Sequence, residues 1–241
     1  MIVLLTDFGL EGPYVGQLRA VLLRQAPGIP VVDLFADLPP FNPRAAAYLL
    51  PAYVEEFPPG SVFLVVVDPG VGSQRGAVVM QADTRWYVGP DNGILEMVGR
   101  RASGSRRWAI NYRPERLSAS FHGRDLFAPV AARLALGAPV PGDYLEQAAS
   151  PYGDWPDELF EVVYIDHFGN AMTGVRAAAL DREAVLEVKG RRLAYARVFT
   201  EAAPETPFWY ENANGLVELA LREASIAQRL GLAVGDVVSR D

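Results

Sequence analysis

Hydrophobic and polar positions divide this chain into two halves of different texture. Residues 62–67, Val-Phe-Leu-Val-Val-Val, are apolar without alternation. A strand reads this way when helices cover both faces of its sheet. Ile2-Val3-Leu4-Leu5-Thr6 repeats the pattern, and both runs end on a carboxylate followed by a glycine turn: Asp7-Phe8-Gly9 and Asp68-Pro69-Gly70-Val71-Gly72. In open α/β sheets ligands bind in the crevice outside the carboxyl ends of the strands. Asp7 and Asp68 therefore stand where such a sheet does its chemistry. An equally simple reading has Asp68 capping its turn and pairing with Arg75 at the surface.

Between these runs, Val15, Leu18, Val21 and Leu22 recur at helical spacing and predict a helix over 14–25. Val31–Phe35 reads as a strand. Asn42 and Pro43 supply an N-cap and first-turn proline for a helix in which Pro51 predicts a kink or break. Strands are expected at 77–80 and 86–88, and Ser120–Asp125 opens a helix running through Ala131. Strands alternating with helices make residues 1–142 an α/β domain with a largely parallel central sheet. Gly/Pro clusters at 137–142 and 151–156 bracket a linker, 143–157. Residues 158–241 are β-rich: a strand at 159–165, a hairpin turning on Lys189-Gly190, a strand at 216–221, a short helix at 224–230 ended by Gly231, and a closing segment at 236–239. This half reads as a smaller antiparallel, barrel-like domain.

Composition removes several functions. Net charge is -7, and the only basic clusters are pairs such as Arg100-Arg101, so no nucleic-acid-binding face is expected. There is no cysteine, hence no disulfide and no thiolate chemistry. No apolar run approaches the roughly 18 residues of a membrane span, and the first residues turn polar too soon for a signal peptide; a cytoplasmic protein with no membrane contact is expected. With two histidines, His122 and His167, and no thiol, a metal site is not expected. The loop at 68–72 lacks the Lys-Ser/Thr of a P-loop and the third glycine of a dinucleotide fingerprint, and no Gly-x-Ser-x-Gly elbow exists. What remains is Asp7, Asp68, Asp166, Arg75, two histidines, the amides Asn92, Asn170 and Asn212, and aromatics including Phe8, Phe41, Phe168, Trp209 and Tyr210. Carboxylates take ribose hydroxyls, amides read a base edge and aromatics stack on it, so the set suits a polar small molecule with a flat ring.

Seven motifs then occur together and in order: Thr6-Asp7-Phe8-Gly9, Val67–Gly72, Arg75, Gly89-Pro90-Asp91-Asn92-Gly93, Phe121-His122-Gly123-Arg124-Asp125, Ile165–Asn170 and Glu211-Asn212-x-x-Gly215. Over nearly its whole length the chain resembles the S-adenosyl-L-methionine hydroxide adenosyltransferases, hydrolases that form adenosine, which are relatives of the fluorinating and chlorinating enzymes. The resemblance implies cleavage of S-adenosylmethionine by an activated water at ribose C5′, with no cofactor, and a homotrimer with active sites between subunits. It implies a water-activating set of Asp68, Arg75 and His122. It puts Asp7 on the ribose hydroxyls, Phe41 and Phe168 along adenosine, Asn170 on adenine, Asp166 near the methionine amine, and Asn212 in the substrate site. Halogenating relatives carry Trp for Phe41 and a Ser where Ala213 stands here. The alternatives are a halide-using enzyme of the same scaffold and a binder of adenosine or S-adenosylmethionine without turnover. An intact Asp68–Arg75–His122 set argues against the pure binder, which needs none.

Overall fold

The computed structural model describes residues 1–146 and 150–240. They form two compact units, 1–47 with 54–154 and 48–53 with 155–241. Each unit is built on a seven-stranded sheet.

The first sheet comprises β1 (Ile2–Thr6), β2 (Val31–Phe35), β3 (Val62–Val66), β4 (Ala77–Ala82), β5 (Arg85–Pro90), β6 (Ser105–Ile110) and β7 (Gly142–Leu145), in the order β2-β1-β3-β5-β4-β6-β7. β1 and β3 are buried at every position, as their unbroken apolar runs predict. The sheet is mixed: β2, β1, β3 and β5 run parallel, and β4, β6 and β7 are added antiparallel. The expectation of a largely parallel sheet holds for the half that carries β1 and β3. Helices α1 (Tyr14–Gln25) and α4 (Ala128–Ala135) share one core with that half, through Leu18, Leu22, Val130, Ile2, Leu4 and Leu64. α3 (Glu96–Arg101) packs closely enough on β4 that a Cβ on Gly99 would lie 3.1 Å from Met80. β7 falls in the segment read as linker, because Asp143 and Tyr144 pair with Ala109 and Trp108 and supply an edge strand that no apolar run announces. Residues 147–149 of that segment lie outside the described residues.

Helix α2 (Pro43–Tyr53) begins as predicted, with the Asn42 side chain accepting the Ala45 N–H at 2.9 Å and Pro43 in the first turn. The break expected at Pro51 is absent. Pro51 stands in the last turn, so it removes one hydrogen bond just before the helix ends.

The second sheet comprises β8 (Leu159–Ile165), β9 (Ala171–Arg176), β10 (Leu186–Val188), β11 (Arg191–Tyr195), β12 (Phe208–Glu211), β13 (Leu216–Ala220) and β14 (Ser239–Arg240), in the order β14-β10-β11-β12-β13-β9-β8. The hairpin β10–β11 turns on Lys189 and Gly190, both at positive φ (49° and 71°), as a two-residue primed turn requires. The two sheet edges nearly meet: Val162 and Phe160 of β8 exchange backbone hydrogen bonds with residues 235–238, just ahead of β14. The result is a nearly closed barrel around Trp209, Leu193, Val217 and Leu219. A short helix, α5 (Ile226–Leu230), is capped by Ser225 and stopped by Gly231 in the left-handed conformation.

Candidate active site

β1 is flanked by β2 on one side and β3 on the other, so the chain changes direction across the sheet between β1 and β3. Their carboxyl ends lie side by side, Thr6 opposite Val66. Asp7 and Asp68 therefore open onto one crevice, at the switch point where open sheets bind ligands. A cavity of about 370 Å³ lies there, lined among others by Asp7, Phe41, Asp68, Phe121 and His122.

Asp68 is held in a fork. Arg75 Nε donates to Asp68 Oδ1 at 3.1 Å, and Nη2 donates to Oδ2. Both side chains are nearly buried, at 10% and 5% exposure. The loop between them is pinned by local chemistry. The Ser73 hydroxyl donates to Gly70 O at 2.7 Å and accepts the Arg75 N–H at 3.1 Å. Gly72, at φ 79°, lies so near residue 119 that a Cβ would sit 2.5 Å from Ala119 O. Asn92 secures the strand end, donating from Nδ2 to Val67 O at 2.8 Å. The surface-pair reading of Asp68 and Arg75 thus fails on burial alone.

His122 joins this pair through Arg75 Nη2, 3.5 Å from its Nδ1. A guanidinium only donates, so the Nδ1 lone pair faces it and a neutral ring carries its proton on Nε2. Burial and then the Arg75 charge lower the His122 pKa from its ordinary 6.5, with Asp68 and Asp125 pulling the other way. The ring is neutral at pH 7. Its backbone is fixed by a π-helical turn, Gly123–Phe127, that runs into α4. Gly123 leaves room for Phe8, whose ring a Cβ there would approach to 3.2 Å. Asp125 anchors the preceding loop by accepting the Ser118 N–H at 2.8 Å while Arg124 grips it.

Asp7 accepts the Phe41 N–H at 3.1 Å. Phe41 sits at φ 59°, an uncommon conformation for a bulky residue, and is 77% exposed. Burial raises the Asp7 carboxyl above its ordinary value, the Phe41 N–H opposes this, and the Asp68 charge adds a smaller push upward.

The second unit holds its own pocket, about 600 Å³, lined by Asp166, Phe168, Asn170, Phe199 and Tyr210 among others. Asp166 ends β8 as Asp7 and Asp68 end their strands, but among the described residues no cation pairs with it. It caps its own turn: Oδ1 accepts the Asn170 N–H at 2.8 Å and Oδ2 accepts Asn170 Nδ2 at 3.3 Å. Gly169, at φ 82°, is pressed onto α5, where a Cβ would lie 1.9 Å from Ser225 Oγ. Phe168 is 74% exposed. Asn212 is engaged within its own hinge: Oδ1 accepts the N–H groups of Asn214 and Leu216 at 3.0 Å, and Nδ2 donates to Glu218 at 2.8 Å.

Sequence reading passed over Glu218. It is 2% exposed, and burial raises its pKa. The signal was present: one acid inside the apolar run Leu216–Leu221. Tyr14 was also passed over; it packs edge-on against Phe121 on the wall of the first pocket. Among the described residues, no group of three or more His, Asp or Glu side chains is placed to hold a metal ion. No helix among them is long and apolar enough to cross a membrane.

An α/β unit with a carboxylate–guanidinium–imidazole set at its switch point, in a chain that also carries a barrel with an acidic aromatic pocket, is the build of a small-molecule enzyme. Family models for the SAM hydroxide adenosyltransferase N-terminal and C-terminal domains match residues 2–142 and 160–239. The chain belongs to this family. It is 41% identical to the (R)-S-adenosyl-L-methionine hydrolase of Thermus thermophilus, across 96% of this chain and 95% of that one, and 38% identical to that of Salinispora arenicola, across 96% and 94%. A fluorinase of Actinopolyspora mzabensis is 23% identical, across 98% of this chain and 95% of its own. The crystal structure of an uncharacterized conserved protein from Thermotoga maritima superposes with a TM-score of 0.88 at 32% identity, covering 100% of this chain and 99% of that one.

Proposed function

We propose that the chain hydrolyses S-adenosyl-L-methionine to adenosine and L-methionine, with the (R)-sulfonium form as substrate, as in the names of its 35–41% identical relatives. The observation that carries this reading is the buried Asp68–Arg75 fork in contact with neutral His122 on the wall of a switch-point pocket. In the reaction a water oxygen forms a bond to ribose C5′ as the C5′–S bond breaks. The electron pair stays on sulfur, so methionine leaves as a neutral thioether and needs no acid. The oxygen must lose one proton. Asp68 accepts it on a lone pair that Arg75 leaves free and passes it to solvent. His122 donates from Nε2 to the attacking oxygen and turns a lone pair toward carbon. Fixing the two reactants in line contributes several kcal/mol, on the order of 7 or more.

In this reading Asp7 holds the ribose hydroxyls, Phe41 and Phe168 flank adenosine, Asn170 reads adenine and Asp166 faces the methionine amine. Asn212 acts by shaping the turn that carries Ala213. No cofactor takes part. The first domain is 1–142 extended by the edge strand β7 and the second is 158–241, a division close to the spans of the two family models. The enzyme works in the cytoplasm as a homotrimer whose active sites lie between subunits, and the exposed rings of Phe41 and Phe168 are what such assembly would cover. Light scattering that finds an active monomer would end the trimer assignment.

Turnover in heavy-oxygen water tests the reaction. The expected product is adenosine carrying one labelled oxygen, at a rate indifferent to chloride. Formation of 5′-chloro-5′-deoxyadenosine in chloride buffer would falsify the hydrolase assignment in favour of a halide-using enzyme. Tight binding of the (R) substrate without any adenosine would leave a binder.

A further inference from the structure

We infer that Glu218 is a positioning residue for the substrate pocket of the second unit, holding Tyr210 and the Asn212 hinge from beneath. This rests on the reading above, in which that pocket receives the substrate.

Period two in β13 sends Val217 and Leu219 into the barrel core and Glu218 to the opposite face, directly across from Tyr210 of β12. There an acid is covered almost completely, at 2% exposure. Its two oxygens are both used: Oε1 accepts the Tyr210 hydroxyl at 2.6 Å and Oε2 accepts Asn212 Nδ2 at 2.8 Å. Among the described residues, the charged and titratable groups coupled to it are Asp166, at the end of β8, and Tyr210 and Tyr53. None is a cation. A buried carboxylate kept beside another acid costs stability, so a purely structural position would be better filled by an apolar residue.

What the acid supplies is direction. The Asn212 Oδ1 is committed to two backbone N–H groups, so its Nδ2 must donate. The Tyr210 hydroxyl donates at the other oxygen, which draws its proton away from the pocket that the ring lines. Phe199 packs on Tyr210 at 5.1 Å, so the aromatic wall depends on that ring staying put. A glutamine at 218 can satisfy Asn212 only by turning its amide nitrogen toward Tyr210. The tyrosine must then accept, and its proton swings free toward the pocket.

The test is Glu218→Gln, Tyr210→Phe and the double variant in the full-length protein. The readouts are KM and kcat for the (R) substrate, adenosine affinity by calorimetry, and the thermal midpoint. Glu218→Gln should raise KM and weaken adenosine binding about tenfold, the scale of a hydrogen bond to a charged group, with kcat within about twofold. The double variant should be no worse than Glu218→Gln, because both act through one hydroxyl. A folded Glu218→Gln enzyme with unchanged KM, or one that loses kcat alone, overturns the inference. If Glu218→Gln does not fold, Tyr210→Phe decides by itself: a raised KM supports the inference and an unchanged one overturns it. If the parent protein makes no adenosine, the proposed reaction fails, and adenosine calorimetry on the same variants still decides Glu218.

Discussion

The two pockets begin from the same local pattern, a buried strand ending on an aspartate with a glycine turn behind it, and arrive at opposite electrostatics. In the first unit Asp68 meets Arg75 in a bidentate fork, and Arg75 in turn touches His122. Charge is balanced and the imidazole stays neutral. In the second unit Asp166 spends its oxygens on its own turn, and Glu218 is buried against hydroxyl and amide donors, with no cation paired to either among the described residues. The first arrangement suits moving a proton. The second suits holding a cationic ligand that carries a flat ring. A strand-end carboxylate thus marks a place, and the partner it meets decides the chemistry.

The sharpest way to break this comparison is to strip charge from the first pocket. Asp68→Asn should cut kcat about a hundredfold or more, with KM nearly unchanged, in a steady-state assay of adenosine formation. A comparable loss of kcat from Asn170→Ala in the second pocket would erase the division of labour. Next in size is Gly169→Ala, which must displace Ser225 and adopt a strained φ; about 2 kcal/mol of stability should be lost in a urea titration. Asp7→Ala should weaken adenosine binding by about 1.5 kcal/mol by calorimetry, and unchanged affinity would remove Asp7 from the ribose. The pH profile separates the pockets further. His122 has a lowered pKa, so its neutral form persists through pH 7 and is lost only as pH falls below the ordinary 6.5. Protonation puts a hydrogen on Nδ1 facing the Arg75 guanidinium, so the contact that orients the ring is lost; kcat should be level at neutral pH and fall in the acid range, and His122→Ala should abolish that limb. The smallest effect belongs to neither pocket: breaking the exposed Arg19–Asp33 pair with Arg19→Met should change stability by less than about 0.5 kcal/mol.

The sequence by itself determined the strands at 2–6, 62–66 and 159–165, the helix at 14–25, and the Lys189-Gly190 hairpin, because unbroken apolar runs, helical spacing and turn residues act over a few positions. It also determined that Asp7, Asp68 and Asp166 stand at strand ends. The edge strand β7 was not legible, since its stability comes from pairing with β6 and not from its own residues. Nor was the continuation of α2 past Pro51, which depends only on where the helix happens to end. Only the tertiary structure decided that residues 7 and 68 share a crevice, that Arg75 lies between Asp68 and an imidazole 47 positions further along the chain than Arg75 itself, and that Glu218 is buried against Tyr210. Spacing along a chain carries no record of such meetings. They are fixed by strand order and register, which arise when the apolar faces of distant segments bury one another.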